Sequence, residues 1–126
     1  MLASVLSIST GASLGALLLW ALASRLNHLF PALPLGSLAA NLIGGYLVGV
    51  AVAVFAGRPE LSPHARLLII TGFLGGLTTF STFSAEVITL LQRGHTTWAL
   101  ATALAHLLGS FALTALGILT VTWLRA

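Results

Sequence analysis

Gly72-Phe73-Leu74-Gly75-Gly76-Leu77-Thr78-Thr79-Phe80-Ser81-Thr82-Phe83-Ser84-Ala85-Glu86 lies in the middle of a long apolar run. Three glycines mark its first third, five of the seven residues from Thr78 to Ser84 carry hydroxyls, and the other two are phenylalanines three apart. At bilayer depth, irregular backbone and hydroxyl groups are tolerated only where protein buries them or where they line a pathway. The stretch therefore predicts a membrane segment that handles something polar.

The rest of the chain places this segment in a bundle. Of 126 residues, 58% are hydrophobic and 6% charged, and the mean hydropathy is +1.08. So few charges could not cover a water-soluble domain. Four apolar stretches, Val5–Leu26, Ser37–Phe55, Arg66–Leu91 and Trp98–Trp123, each approach or exceed the roughly 20 residues that a helix needs to cross a bilayer. They predict an all-α integral membrane protein, one four-helix domain over residues 1–126 with no room for a soluble domain. Four spans enclose no wide pore, so a homo-oligomer is expected. The first apolar run is long enough to span and lacks a basic leader, so it is expected to stay as a helix. With no cysteine, disulfides, thiolate metal sites and cysteine nucleophiles are excluded. Five arginines stand against two glutamates, with no lysine and no basic cluster. The high pI thus reflects scarce acids rather than a nucleic-acid surface.

Charge placement bears on topology. With the N-terminus inside, Arg58, Arg66 and Arg125 fall on the cytoplasmic side and Arg25 and Arg93 on the other. An excess of one is too small to set orientation by the positive-inside rule. Either another cue, such as the first helix, decides, or the protein inserts both ways and pairs antiparallel. The connections are short. Pro31, Pro34 and Gly36 end the first helix, Ser62-Pro63 reads as an N-cap followed by proline at N1, and Gly94 lies between spans three and four. Trp20, Trp98 and Trp123 lie toward helix ends, where indoles prefer the interface.

Small residues repeat at four-residue spacing: Ser7, Gly11 and Gly15 in span one, and Asn41, Gly45 and Gly49 in span two, beside Ala40 and Gly44. Such stripes let backbones approach closely in lipid. Asn41 must hydrogen-bond or face water, so it is either interhelical glue or part of a polar path. In span four, Thr102, His106, Ser110 and Thr114 form a slowly rotating stripe. Each hydroxyl alone could bond a carbonyl one turn back, but four polar residues in register read as a polar track. His106 has no second ligand at metal spacing, so no transition-metal site is expected.

Within the central motif, Gly75-Gly76 and Thr78-Thr79 weaken the helix at consecutive positions. A break here would free carbonyls in mid-membrane, which suit a bare cation such as Na⁺. Phe80 and Phe83 project from nearly one face, and aromatic ring edges carry positive potential that can meet a small anion. Hydroxyl and amide donors can replace part of such an anion's hydration shell. Glu86, the one carboxylate within a span, lies near the end of span three, where a solvated or hydrogen-bonded role is expected over proton transport.

These residues resemble the Fluc (CrcB) family of bacterial fluoride channels. The resemblance covers essentially the whole chain. It rests on Gly72-Phe73-Leu74-Gly75-Gly76 with Thr78-Thr79-Phe80-Ser81-Thr82-Phe83-Ser84, on Asn41-Leu42-Ile43-Gly44-Gly45, and on the four-span layout. It implies an antiparallel, dual-topology homodimer in the bacterial inner membrane, with a broken third helix, two fluoride pores and one structural Na⁺ at the interface. The Na⁺ would be held by main-chain carbonyls of Gly75 and Thr78 from both subunits. The pore residues would be Asn41, Phe80 and Phe83, with a polar track of Ser81, Ser110 and Thr114 and with His106 at a variable position. Fluoride that enters cells as HF would leave passively as F⁻. The family's span-one pattern carries an arginine where this chain has Leu19, and Arg25 lies on a different face. The rival readings are a proton-coupled small multidrug transporter, which needs a carboxylate in span one that is missing here, and a non-transporting bundle that stabilises a larger complex. Neither is an enzyme.

Overall fold

The computed structural model describes residues 1–126. It is all-helical, with four helical segments long and apolar enough to cross a membrane: Leu2–Leu29, Leu35–Ala56, Pro63–Gln92 and Thr96–Arg125. We label the helices α1 (Leu2–Leu26), α2 (Leu35–Ala56), α3 (Pro63–Arg66), α4 (Gly75–Leu77), α5 (Phe80–Gln92) and α6 (Thr96–Arg125). A π-helical stretch, Leu67–Leu74, joins α3 to α4. The helices extend a little beyond several of the apolar runs. Ser62 accepts from the His64 N–H at 3.2 Å with Pro63 at the first helical position, as the Ser-Pro pair predicts.

α2 packs along α6, and α1 packs against the first half of span three. Both contacts depend on missing side chains. A Cβ on Gly49 would run into the Thr114 carbonyl, and one on Gly15 into the Phe73 carbonyl. The small-residue stripes thus carry backbone-to-backbone contact, as lipid-embedded helices require when no hydrophobic effect drives them together. Between these pairs sits a core of Ala40, Ala51, Phe55, Leu74 and Leu77, with Leu19 packed against it. Position 19 in this chain is therefore a core contact.

Span three is not uniform. Thr78 (φ −83°, ψ 150°) and Thr79 (φ −147°, ψ 114°) are extended between α4 and α5. The glycines were expected to share in any irregularity, but Gly75 and Gly76 are helical. Gly76 lies against Ala12 of α1, so it serves packing. The two β-branched threonines take the extended conformation that suits their stiff χ1. The π-helical turns before them were not legible from composition.

Candidate functional site

The two extended residues are held by one side chain. Asn41 of α2 accepts the Thr79 N–H at Oδ1 (2.8 Å) and donates from Nδ2 to the Thr79 carbonyl (3.0 Å). Its second Nδ2 hydrogen meets His106 Nδ1 of α6 at 2.9 Å. An amide has one acceptor and two donor hydrogens to offer, and all are engaged here. Of the two readings of Asn41, glue is what the geometry displays. Donation to Nδ1 makes that nitrogen the acceptor, so the ring proton sits on Nε2. Nε2 is buried and without a partner, which makes it the unspent donor of the cluster.

The same clamp releases backbone carbonyls. In an uninterrupted helix the Thr79 N–H would bond the Gly75 carbonyl, and the Thr82 N–H the Thr78 carbonyl. The first goes to Asn41 and the second to Thr79 Oγ1 at 3.1 Å. Thr78, in contrast, keeps both its N–H and its hydroxyl on the Leu74 carbonyl, at 3.0 and 2.9 Å. The carbonyls of Gly75 and Thr78 are therefore left without their helical donors, as residues able to hold a cation would be. No group of His, Cys, Asp or Glu side chains offers an alternative metal site.

Aromatic rings form the wall beside the clamp. His106 stacks on Phe83 with centroids 4.5 Å apart, and Phe83 meets Phe80 edge to face at 5.4 Å and 84°. Phe83 is 7% exposed, whereas Phe80 is 73% exposed. Together with Asn41, Thr78, Thr79 and Ser110 these rings line a groove of about 500 Å³ that Gly75 also borders. Its aromatic side is thus only half closed within one chain.

Asn41, Phe80, Phe83, His106 and Ser110 come together, as do Gly75 and Thr78. Ser81 and Thr114 do not line the groove. Ser81 is exposed on α5, and Thr114 donates to the Gly45 carbonyl at 2.9 Å, where it ties α6 to α2. The span-four stripe also splits at its other end: Thr102 is fully buried and bonds the Trp98 carbonyl one turn back at 2.8 Å. A rotating stripe on one helix cannot keep every member on one groove.

Among the polar contacts that helix-by-helix reading does not pair, two lie at the start of α2. Asn27 Oδ1 accepts from the N–H groups of Gly36 (2.7 Å) and Ser37 (3.1 Å), capping the start of α2 from the end of span one. An Asn just past a helix end, before a Pro-rich connection, is the available signal. Ser37 in turn donates to Glu86 Oε1 at 2.6 Å, while Oε2 is buried without a partner. Glu86 is thus hydrogen-bonded inside the bundle and away from solvent at that oxygen.

A polytopic membrane protein with a polar, aromatic-walled groove and an all-helical frame is the class these features define. Residues 6–118 match the family described as "CrcB-like protein, Camphor Resistance (CrcB)", and the chain belongs to that family. It is 57% identical to a "Fluoride-specific ion channel FluC" of Nitrosomonas europaea, over 97% of this chain and 96% of that protein. It is 61% identical to a protein of the same name from Chromobacterium violaceum, over 97% of each chain. A third such protein, from Burkholderia cenocepacia, is 60% identical over 98% of this chain and 97% of its own.

Proposed function

We propose that this protein is a fluoride-selective channel of the bacterial inner membrane, which lets F⁻ leave the cytoplasm passively and so reduces fluoride toxicity. The observation that carries the reading is the Phe80–Phe83–His106–Asn41 cluster at the Thr78-Thr79 irregularity. It offers positive ring edges and neutral donors without any fixed charge in the groove wall. Weak, neutral sites can strip part of an anion's hydration and still release it, as conduction requires. The relatives' printed names point to the same ion.

The working unit in this reading is an antiparallel, dual-topology homodimer. The near-balanced arginines and the open side of the groove at Phe80 support it. Span three acts as a broken helix, and the released carbonyls of Gly75 and Thr78 hold a structural Na⁺ at the interface. Two carbonyls from one chain leave most of a cation's shell empty, so an equivalent pair from the second chain completes it. Such a Na⁺ would neutralise the carbonyl ends and brace the two chains. Ser81 and Thr114, which stand outside the groove of one chain, join the ion path only if the second chain or an opening of the bundle brings them to it. The multidrug-transporter reading gains no support: α1 contains no carboxylate.

The test is reconstitution of the purified protein in KF-loaded liposomes, with valinomycin to release the potential and a fluoride electrode to record efflux. Rapid F⁻ release with negligible Cl⁻ release from KCl-loaded controls is expected. No F⁻ release from correctly folded protein would overturn the channel reading.

A further inference from the structure

Another face of α2 carries a second groove, of about 460 Å³, walled by apolar side chains alone. Leu47, Val50, Val54 and Phe55 of α2 face Ala65 and Phe73 of span three across it. None of these six residues borders the polar groove. From Leu47 to Phe55 the helix rises about 12 Å, close to the ~15 Å depth of one leaflet's hydrocarbon. The groove therefore runs from mid-bilayer to one membrane surface.

Its outer end is cationic. The Arg66 guanidinium lies over the Phe55 ring, 5.4 Å from the centroid. Arg125 donates to the Ala53 and Val54 carbonyls at 3.2 and 3.3 Å, and the Arg58 N–H bonds the Phe55 carbonyl at 3.3 Å. The Arg66 and Arg125 guanidinium groups thus reach the last turn of α2, Arg58 follows that turn two residues on in the chain, and the connection there carries a single carboxylate, Glu60. Arg58 and Arg66 are exposed. A guanidinium seated on a ring uses its face and keeps its in-plane N–H donors free, the geometry that suits a phosphate.

An apolar groove one leaflet deep, ending at the Arg66 guanidinium with Arg58 exposed on the adjoining connection, has the shape and charge of one kind of molecule. We propose that it is a binding site for a single anionic phospholipid, with an acyl chain in the groove and the phosphate on Arg66 and Arg58. The site adjoins the polar groove only at Leu74, which lines both, and does not depend on which ion passes there. Charge complementarity selects the anionic headgroup, because a zwitterionic lipid presents the same phosphate together with a repelled ammonium.

The test is native mass spectrometry of the purified protein offered equal amounts of dioleoyl phosphatidylglycerol and dioleoyl phosphatidylcholine. Preferential retention of the phosphatidylglycerol is expected. Arg66→Gln should lower that retention about fivefold, and adding Arg58→Gln about fivefold again, from the usual contribution of one basic side chain near an anionic surface; phosphatidylcholine retention should not change. Ala65→Phe, which fills the groove, should lower retention of both lipids. Equal retention of the two lipids by the unaltered protein would overturn the proposal. So would an undiminished phosphatidylglycerol preference in Arg66→Gln, which is a surface change and is expected to fold. A changed subunit count in Ala65→Phe with unchanged lipid retention would assign the groove to a second copy of the chain instead.

Discussion

The two halves of span three are held in place by different physics. The first half, α3 through α4, lies on α1 by shape: Gly11, Gly15, Gly72 and Gly76 bring backbone onto backbone, and no side-chain hydrogen bond joins the two helices. The second half, α5, is anchored by directional contacts. Asn41 clamps Thr79 at its start, Ser37 bonds Glu86 two turns further on, and His106 stacks on Phe83. Shape contact between backbones is unforgiving and indifferent to ions. Hydrogen bonds to neutral amides, hydroxyls and an imidazole can be exchanged for bonds to a passing anion. The chain thus keeps a close-packed backbone frame on one side of Thr78-Thr79 and a hydrogen-bonded polar cluster on the other.

Substitutions can break this contrast at graded cost. The largest effect is expected from Gly15→Leu, which drives a side chain into the Phe73 backbone. Backbone cannot yield as a side chain does, so a loss of more than ~3 kcal/mol is expected, seen as failure to recover monodisperse protein. Asn41→Leu comes next. It leaves the Thr79 N–H and carbonyl unpaired in the bundle, at a cost of about 3 kcal/mol, with thermal stability and F⁻ flux falling together. If Asn41→Leu were as stable as the unaltered protein, the clamp would not hold α5.

The phenylalanines separate stability from conduction. Phe83→Ile should cost about 1–2 kcal/mol, because it removes a buried ring stacked on His106. Phe80→Ile should cost under ~1 kcal/mol, because Phe80 is mostly exposed in one chain. Both should slow F⁻ flux by about tenfold or more, since each ten of slowing needs only ~1.4 kcal/mol of barrier. Unchanged flux in both folded variants would remove the ring-edge mechanism. The smallest effect belongs to Thr102→Val, which loses only a bond to its own helix. A change within about 1 kcal/mol is expected, with flux intact. Reduced flux there would put Thr102 back on an ion path.

Much of the site was legible because membrane chemistry is restrictive. Polar residues in an apolar helix are few, so Asn41, His106 and Ser110 stood out and do meet at one groove. Periodicity on a single helix did not show the partners that Thr102 and Thr114 take within one chain, their own helix and a neighbouring glycine carbonyl. Propensity alone makes Gly75-Gly76 helix breakers, yet tertiary contact with α1 gives Gly76 a packing role, and both glycines stay helical. The Asn27 cap on α2 was missed because it links residues 9 and 10 apart across a connection, and helix-by-helix reading does not cross connections.

The sequence alone determined the membrane class, the number of spans and the stripes along which helices could touch. A bilayer forces apolar length and satisfied backbone on any chain that crosses it, and both requirements are local. Tertiary structure decided how the polar atoms are spent. Asn41 reaches Thr79, 38 residues away, and His106, 65 residues away; that clamp frees the Gly75 carbonyl, the Thr79 cap beside it frees that of Thr78, and His106 Nε2 is left unpaired. Which donor stays free depends on which others are already used, and that is settled only when three helices are brought together.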